Sequence, residues 1–459
     1  MLLTPPDILS IVLFALLSRV EAHLSDQQIQ TITSNLAQSA THTWELGTRA
    51  QAIPELSAAR YSVFSAPRGK AKKSALPPPS DIPSDLSGAL SPVFDMARSI
   101  LGGWQGKKAG EYRFFVLMPA SVGNTPAPMI AGDGSAADPA SNGIATLLAS
   151  LTHQALPGGV ADGVDYLTIT KSQIDFLNSD KVSKTPEGAI SHRVEQLQLW
   201  SDFVYMVPPV LAYYGVLTKT RSYLVDAYVQ CRLYRQYLRD GSTGLWRHVL
   251  LGPRVDGVPN DPGFWSTGNG WAAAGMLRVY ATIKNRLEFT GSMKNEMNDL
   301  KTWVEEVHIA MYSHLDSSNV FTNYADQSPT SARNFYDASS TALMAGTVFR
   351  YMVEMRDTAC YMDRAQTAWD TLFATNSTNL ENGDNFIGYS HFTEDGWLTP
   401  TVNPNDYSIQ VTHSPEGQAF VVMLHAARRD WQAMNGGLNF QVHVGLLLFS
   451  IVATVIWAI

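Results

Sequence analysis

The stretch that decides the fold class is residues 223–241, which read YLVDAYVQCRLYRQYLRDG. Its apolar side chains recur every three or four residues, at Leu224, Ala227, Tyr228, Cys231, Tyr234 and Leu238. This spacing places them on one face of a helix that buries that face. Asp240-Gly241 follows, and glycine takes the left-handed conformation in which helices often end. The stretch therefore predicts an amphipathic helix that ends near residue 239.

The same helical pattern recurs on both sides of this stretch. Helical spacing is visible at residues 23–63, 140–151, 300–311, 338–355, 365–374 and 415–431, with Gly-, Asp-, Asn- and Pro-rich loops between them. From residue 190 onward no strand-like alternation competes with it, and no tight internal repeat indicates an open solenoid. A body of about 415 residues holds twelve helices at about 35 residues each, loops included. The sequence thus predicts an all-α domain, a closed ring of antiparallel helix pairs.

Both ends of the chain are apolar and predict export. Residues 8–17 fit the core of a signal peptide that ends at residue 22, although a signal anchor is the alternative. Residues 444–459 contain no charge and follow the small residues Asn435-Gly436-Gly437. This tail is either a lipid-anchor signal or a retained membrane span. We expect a signal peptide at 1–22, the helical domain at 23–434 and a hydrophobic tail at 435–459, with the body outside the cytosol.

The composition of the chain excludes several classes of protein. The chain is 45% hydrophobic and 16% charged, so it can bury a large core, and its net charge of −8 argues against nucleic-acid binding. The two cysteines, Cys231 and Cys360, allow one disulfide or two buried free thiols, and two cysteines do not make a zinc site. Asn376 begins an N-glycosylation sequon, which matters if the chain is exported. We expect no metal and no other cofactor.

Asp202 is the candidate general acid. It lies in the stretch LWSDFVYMVPP, residues 199–209, at helical spacing from Tyr205, Met206 and Pro209. A carboxyl group on an apolar face is desolvated, and its raised pKa suits an acid catalyst near neutral pH. The alternative is that Asp202 caps a helix, because it follows Ser201 and precedes an apolar run.

Four further segments carry candidate binding residues, each with a structural alternative. His248 ends the segment GLWRH and is either a site residue or a packing histidine. Trp265 and Trp271 flank glycines that permit close backbone approach, and each is either a sugar platform or a core residue. Asp337 and Ser414 lie in polar segments where helices are predicted to begin. Each is either a site residue or an N-cap. No nucleophile elbow, phosphate loop, metalloprotease or dinucleotide motif appears.

In this order, the segments resemble glycoside hydrolase families 88 and 105, the unsaturated glycuronyl and rhamnogalacturonyl hydrolases, and their divergent fungal six-hairpin relatives. The motifs are WxDxxYMxxP (200–209), GLWxH (244–248), GNGW (268–271), DxSSTA (337–342) and SPEGQ (414–418). The resemblance implies an (α/α)6 barrel with the site at one mouth. It implies that Asp202 protonates and hydrates the C4=C5 double bond of an unsaturated uronic acid in an oligosaccharide or polysaccharide substrate, with pectin as a candidate source.

The resemblance also implies substrate contacts. His248 and His192 position the sugar, Trp265 and Trp271 form its platform, and further contacts fall on Trp200, Tyr205, Asn269 and Asp337. Two motif positions depart from the family. Thr267 stands where the family often has arginine, so Arg193, Arg247 and His413 are the candidates to bind a uronate in its place, and Asp337 replaces a glutamate. A second acid cannot be placed beyond the weak candidates Asp133 and Asp138.

Two other functions stay open. A carbohydrate-binding or cell-wall protein without catalysis fits the loss of the arginine at Thr267. A mannan-acting glycosidase or transglycosidase on the same barrel fits a lipid-anchored chain, but those enzymes resemble one another in an Asp-Asp pair that this sequence lacks.

Overall fold

A computed structural model of the chain describes residues 24–65, 75–103, 126–131, 134–158, 164–252, 260–356, 361–376 and 385–434. The predicted signal peptide (1–22) and tail (435–459) lie outside these ranges, as do Asp133 and Cys360. Cys231 is buried and forms no disulfide. Across the described ranges, no helix combines the length and apolar character needed to cross a bilayer.

Six helices form an inner ring in the described part of the chain. They are α2 (Thr43–Ser57), α4 (Gly143–Leu151), α7 (Pro208–Leu217), α9 (Ser266–Asn285), α12 (Ala338–Met355) and α14 (residues 415–434). Nearly every residue of α7, α9 and α12 is buried, as expected of a helix that has protein on all sides.

Six further helices pack around that ring. They are α1 (Asp26–Ser39), α3 (Ser84–Gly103), α5 (Tyr166–Asn178), α8 (Arg221–Leu238), α11 (Lys294–Tyr312) and α13 (Met362–Leu372). Each buries a single stripe; in α8 that stripe includes Leu224, Ala227 and Cys231, as the sequence predicts. The single turns α6 (Phe203–Met206) and α10 (Leu287–Thr290) precede α7 and follow α9. The fold is an (α/α)6 barrel, which confirms the predicted class.

Neighbouring inner helices contact one another around the whole ring. Contacts join α2 to α4, α4 to α7, α7 to α9 and α9 to α12. Gly346 of α12 packs against the backbone of Leu424 in α14, so a side chain at this glycine would crowd the helix pair. Arg429 of α14 closes the ring by donating to the backbone oxygens of Glu55 and Leu56 in α2.

An ion network fills the interior of the ring. Glu55 lies between Arg278 of α9 and Arg350 of α12, and all three side chains are 4% exposed. Arg350 also pairs with Asp430 at 2.7 Å. The network therefore ties four inner helices together. Charges this deeply buried are tolerated because each one is paired.

The N-termini of the inner helices meet at one end of the ring, which we call the mouth. Antiparallel pairing makes all inner helices run in one direction. Consistent with this, Asn142 before α4 donates to the Thr43 oxygen at the start of α2, at 2.9 Å. Gly417 of α14 packs against Ser339 of α12. Residues in the first turn of different inner helices are thereby brought close together.

Two short antiparallel sheets lie on the connections. Strand β1 (Leu199–Trp200) pairs with β2 (Val249–Leu250), and β3 (Thr401–Asn403) pairs with β4 (Asp406–Val411). Next to the first pair, the Ser201 backbone N–H donates to the His248 oxygen at 2.9 Å. This pairing brings the segments of Asp202 and His248 side by side.

Candidate active site

Carboxyl groups surround the mouth. Five of the six inner helices carry one in or just before the first turn, counting the 3-10 turn that leads into α4 and the turn α6 that leads into α7. They are Glu45, Asp138, Asp202, Asp337 and Glu416. Helix N-termini favour negative charge because their N–H groups point outward. The sixth helix, α9, begins instead with Ser266 and Thr267.

Asp202 lies at the N-cap position of α6, yet its side chain makes no capping hydrogen bond. Ser201 donates to its Oδ2 at 3.1 Å, and the Nε2 atom of His248 lies 3.6 Å from the same oxygen. Burial raises the pKa of Asp202 above its usual value; His248 and His192 oppose the shift, and Asp138 adds to it. The carboxyl is thus suited to hold a proton and to release it.

The segment after Asp202 differs from the prediction in one respect. The expected single helical face through Tyr205, Met206 and Pro209 is interrupted, because α6 ends at Met206 and α7 begins at Pro208. Asp202 therefore lies at the N-terminal end of a one-turn helix and not on the face of a longer helix.

His248 is held between two carboxyl groups. It is 1% exposed, and its Nδ1 lies 2.8 Å from Asp261 Oδ2. An Nδ1–H bond to Asp261 fixes the tautomer in which Nε2 carries the lone pair. Nε2 points toward Asp202 and has no hydrogen-bond partner among the described residues. The imidazole can therefore accept or share a proton at Nε2.

Asp261 is a site residue that the sequence analysis missed. Tyr324 also donates to its Oδ2, at 2.8 Å. Burial opposes its ionisation, but the hydrogen bonds from His248 and Tyr324 hold the pKa of Asp261 below its usual value. The only signal was its place in Asp261-Pro262-Gly263, directly before the Trp265 segment. The Val249–Asp261 bridge that aligns it with His248 is tertiary information.

Trp200 lies between two histidine–carboxylate pairs. It stacks on His192 with ring centroids 4.7 Å apart and 9° between planes, and it meets His248 edge-on at 5.6 Å. His192 Nε2 lies 3.2 Å from Asp138 Oδ1. Trp200 is only half-buried, so part of its ring faces outward. Asp138, a weak candidate in the sequence, is thus brought into the same cluster as Asp202.

The sequence model of glycosyl hydrolase family 88 matches residues 161–421, more than half of the 459 residues. The chain belongs to glycosyl hydrolase family 88. The matched span contains Asp202, His248 and Asp261. Among curated proteins, none matches this family 88 chain significantly.

Solved structures share the six-hairpin fold over most of the chain. A possible member of family 105 from Klebsiella pneumoniae has a TM-score of 0.58 and 17% identity, covering 90% of this chain and 96% of that one. A family 88 hydrolase from Bacteroides vulgatus has a TM-score of 0.53 and 15% identity, and the match covers 89% of this chain and 100% of that one. A family 76 mannosidase from Bacteroides thetaiotaomicron has a TM-score of 0.50 and 13% identity, and the match covers 89% of this chain and 98% of that one. At such identities the likeness establishes the fold alone.

Tyr205 and Trp271 occupy the core of this family 88 barrel. Both are 0% exposed, and their rings lie 4.3 Å apart. Trp271 also packs edge-on against Phe420 of α14. Neither ring offers a free face to a sugar, so the substrate contacts that the motifs imply for these two residues do not fit this structure. For Trp271, the alternative of a core residue does.

Asn269 also has a structural role, since its side chain bonds to the backbone. It is 0% exposed; its Oδ1 accepts from the Trp246 N–H at 2.8 Å, and its Nδ2 donates to the Trp246 and Trp265 oxygens. Its amide is therefore fully used by the backbone and is not free for substrate. The asparagine of the GNGW motif thus fixes the GLWRH segment, and with it the position of His248.

Asp337 caps helix α12 in this family 88 chain. Its carboxylate accepts from the backbone N–H groups of Ser339 and Ser340, at 3.0 and 3.1 Å. Thr267 also donates to it, at 3.2 Å. Asp337 is 0% exposed, and burial raises the pKa of its carboxyl, against these hydrogen bonds. The capping alternative is the one that the structure shows.

Trp265 packs against the ring of His248. It is 2% exposed, its ring centroid is 4.4 Å from that of His248, and its Nε1 donates to Asn323. Tyr407 of β4, which the sequence analysis missed, contacts the same imidazole at 4.6 Å and is half-buried. Tyr407 is therefore a second partly exposed ring beside His248, along with Trp200.

The cations proposed to replace the family arginine contact groups other than Asp202. Arg193 pairs with Glu195 at 3.5 Å. Arg247 pairs with Asp240 at 2.7 Å and lies over Phe264. His413 is 55% exposed and lies against Asp395 and Trp397. Within the described ranges, no group of three His, Cys, Asp or Glu side chains could hold a metal ion.

Proposed function

We propose that this family 88 protein hydrolyses glycosides of an unsaturated uronic acid, with Asp202 as the general acid and base. The observation that carries the proposal is the contact of Asp202 with the unpartnered Nε2 of His248, beside the outward-facing ring of Trp200. Burial raises the pKa of Asp202, which favours a carboxyl group that still carries a proton to transfer.

The reaction needs only one carboxyl group to move protons. Asp202 donates its proton to C4 of the C4=C5 double bond, which leaves positive charge at C5 shared with the ring oxygen. The Asp202 carboxylate then takes a proton from water as the water oxygen bonds to C5. The resulting hemiketal opens to a C5 ketone, and the hemiacetal left at C1 releases the aglycone alcohol. One water is consumed and Asp202 regains its proton.

His248 positions the acid and the sugar. Its Nε2, 3.6 Å from Asp202 Oδ2, can accept a hydrogen bond from protonated Asp202 or from a sugar hydroxyl group that approaches from the mouth. Asp261 keeps Nε2 as the acceptor by holding the proton on Nδ1. On the other side, Trp200 offers a ring face for stacking, and His192 with Asp138 supports that ring.

The test is turnover of unsaturated glucuronyl and rhamnogalacturonan disaccharides, followed by the loss of the ultraviolet absorbance of their double bond. We expect wild type to be active and Asp202→Asn to be inactive. The exposed Asp326→Asn is the matched control and should behave as wild type. Absence of turnover in wild type, or undiminished turnover in Asp202→Asn, would refute the proposal.

A second candidate function is carbohydrate binding without turnover, which the loss of the family arginine at Thr267 favours. Glycan-array binding by wild type, unchanged in Asp202→Asn and without any product, would support it. The family 76 mannosidase shares only the fold at 13% identity, so it gives the mannan alternative no further support. Comparison of pectin-derived with glucuronyl substrates identifies the polysaccharide source.

We also propose that the chain is exported and held at the cell surface. The apolar runs at residues 8–17 and 444–459 support a cleaved signal peptide and a lipid anchor or retained span. Asn376 is exposed, which suits glycosylation. Release from cells by a phosphatidylinositol-specific phospholipase indicates the lipid anchor, and retention indicates the span. Asn376→Gln should remove the mobility shift caused by an N-glycosidase.

A further inference from the structure

Glu416 is a buried carboxyl group that the reaction above does not use. It is the second residue of α14 and is 2% exposed. Its Oε2 has no hydrogen-bond partner among the described residues. Buried polar atoms in native proteins are normally paired, and an unpaired one costs stability. An orphaned oxygen at the mouth of the barrel is therefore expected to have a partner that binds there.

The groups that face Glu416 are acidic. In decreasing order of influence they are Asp202, Glu45, Asp337 and Asp138, which come from four different segments around the mouth. Burial raises the pKa of Glu416 well above its usual value, and these carboxylates raise it further. Glu416 therefore keeps its proton to a higher pH than an ordinary glutamate, and it presents a hydroxyl donor.

Three of the facing carboxyl groups are already engaged. Glu45 accepts from the backbone N–H groups of Thr41 and His42. Asp337 caps α12, and Asp138 pairs with His192. Asp202 is the remaining one, and it has the strongest influence on Glu416. Glu416 and Asp202 both lie at the mouth, so a ligand that enters it can meet both carboxyl groups.

The chemistry of the substrate places a ligand group beside Asp202. In an unsaturated uronic acid the carboxylate is attached to C5, one bond away from the double bond that Asp202 protonates. The residue that binds this carboxylate must therefore lie next to Asp202. Position 267, where an arginine is expected, holds a threonine whose hydroxyl donates to Asp337. The carboxylate needs another donor.

We infer that Glu416, as a neutral carboxylic acid, donates its O–H to the substrate carboxylate and so selects uronic acids over neutral sugars. The inference rests on the proposed function, because it locates the carboxylate through the double bond at Asp202. An acid–carboxylate hydrogen bond is charge-assisted and strong. Unlike arginine, this donor disappears when pH rises and the acid ionises.

The experiment measures binding by calorimetry in the Asp202→Asn background, so that neither turnover nor Asp202 titration contributes. The ligands are an unsaturated glucuronyl disaccharide and its neutral analogue, in which the carboxyl group is reduced to an alcohol. We expect affinity for the uronate to fall at least about tenfold between about pH 5 and about pH 9, a range that brackets documented buried glutamates. Affinity for the neutral analogue should be weak and should not change with pH.

Variants at Glu416 separate its role from that of other titrating groups. Adding Glu416→Gln keeps an N–H donor that does not titrate, so any remaining pH dependence arises from groups other than Glu416. Adding Glu416→Leu should weaken uronate binding at least about tenfold at pH 5, while the protein stays at least as stable, because an unpaired buried carboxyl is removed. The exposed Glu394→Gln should bind as its background does.

Three results would overturn the inference: uronate affinity that does not change with pH, the same pH dependence after Glu416→Gln, or unchanged affinity after Glu416→Leu. The proposed function fails separately. If wild type gives no turnover but the Asp202→Asn protein shows the Glu416-dependent binding, the site recognises uronates without hydrolysing them.

Discussion

Thr267 donates a hydrogen bond to Asp337 at 3.2 Å, so the two motif positions where this chain departs from its family contact each other. The family often has an arginine at the first position and a glutamate at the second, whereas here a threonine hydroxyl contacts an aspartate. Asp337 then caps α12, and no guanidinium from position 267 reaches the mouth.

Replacing the cap should affect stability more than substrate binding. Asp337→Ala should lower the free energy of unfolding by about 2 kcal/mol, because the first N–H groups of α12 lose their acceptor. Thr267→Val should cost less, about 1 kcal/mol, because Asp337 keeps its bonds from Ser339 and Ser340. Urea unfolding measures both. A large rise in KM without loss of stability in Asp337→Ala would contradict the cap assignment.

The buried carboxyl of Asp202 should make the barrel less stable as pH rises. Its pKa is raised in the folded state, so its stabilising contribution is present below the ordinary value of 3.8 and is lost as pH rises through the raised value. Asp202→Asn should therefore be more stable than wild type at pH 7, with a smaller difference at pH 4. Denaturant titrations of both proteins at pH 4 and pH 7 test this prediction. An equal stability difference between Asp202→Asn and wild type at the two pH values would exclude a raised pKa of Asp202.

The ring could be predicted from the sequence because helical periodicity is local. The stripe of Leu224, Ala227 and Cys231 appears in α8 as expected, and the long apolar helices became the inner ring. Periodicity also placed Asp202 beside an apolar run, which explains its burial. Periodicity alone did not show that Val207 separates two helices. The local signal was Pro208-Pro209, because prolines lack the N–H group that would continue α6 and they suit the first turn of α7.

The parts of the site that the sequence missed are tertiary contacts. Asp261 follows His248 by 13 residues, and only the bridge with Val249 sets its carboxylate against the imidazole. Tyr407 reaches His248 from a strand far along the chain. Trp271 and Asn269 show the opposite case. They belong to a motif beside the site, but Trp271 packs on Tyr205 and Phe420 in the core and Asn269 bonds to the backbone.

Asp261 should control the rate through the tautomer of His248. Asp261→Asn places an amide at Nδ1 and removes the preference for the lone pair on Nε2, so kcat should fall about 100-fold. Tyr324→Phe removes the other hydrogen bond to Asp261 and leaves the imidazole contact, so it should lower kcat less than about tenfold. Steady-state kinetics on the disaccharide check both. A larger loss in Tyr324→Phe would place the phenol, and not the imidazole, in the reaction.

The ion network should be essential for folding. Glu55→Gln leaves Arg278 and Arg350 buried without their shared counter-ion, and it should cost about 3–5 kcal/mol of unfolding free energy. Asp430→Asn is the matched control. Asp430 is 28% exposed, so the loss of its pair with Arg350 should cost about 1 kcal/mol or less. Comparable losses in the two variants would show that burial does not decide the effect.

Trp200 and Trp271 should respond oppositely to substitution. Trp200 is half-buried between His192 and His248, so Trp200→Ala should remove a stacking surface and raise KM up to about tenfold. Trp271 has no exposed face, so Trp271→Phe should lower stability and leave KM near wild type. Kinetics and thermal unfolding of both variants separate the two effects. A rise in KM for Trp271→Phe at unchanged stability would mean that the mouth opens to expose that ring, and the core position of Trp271 would then be only its ligand-free state.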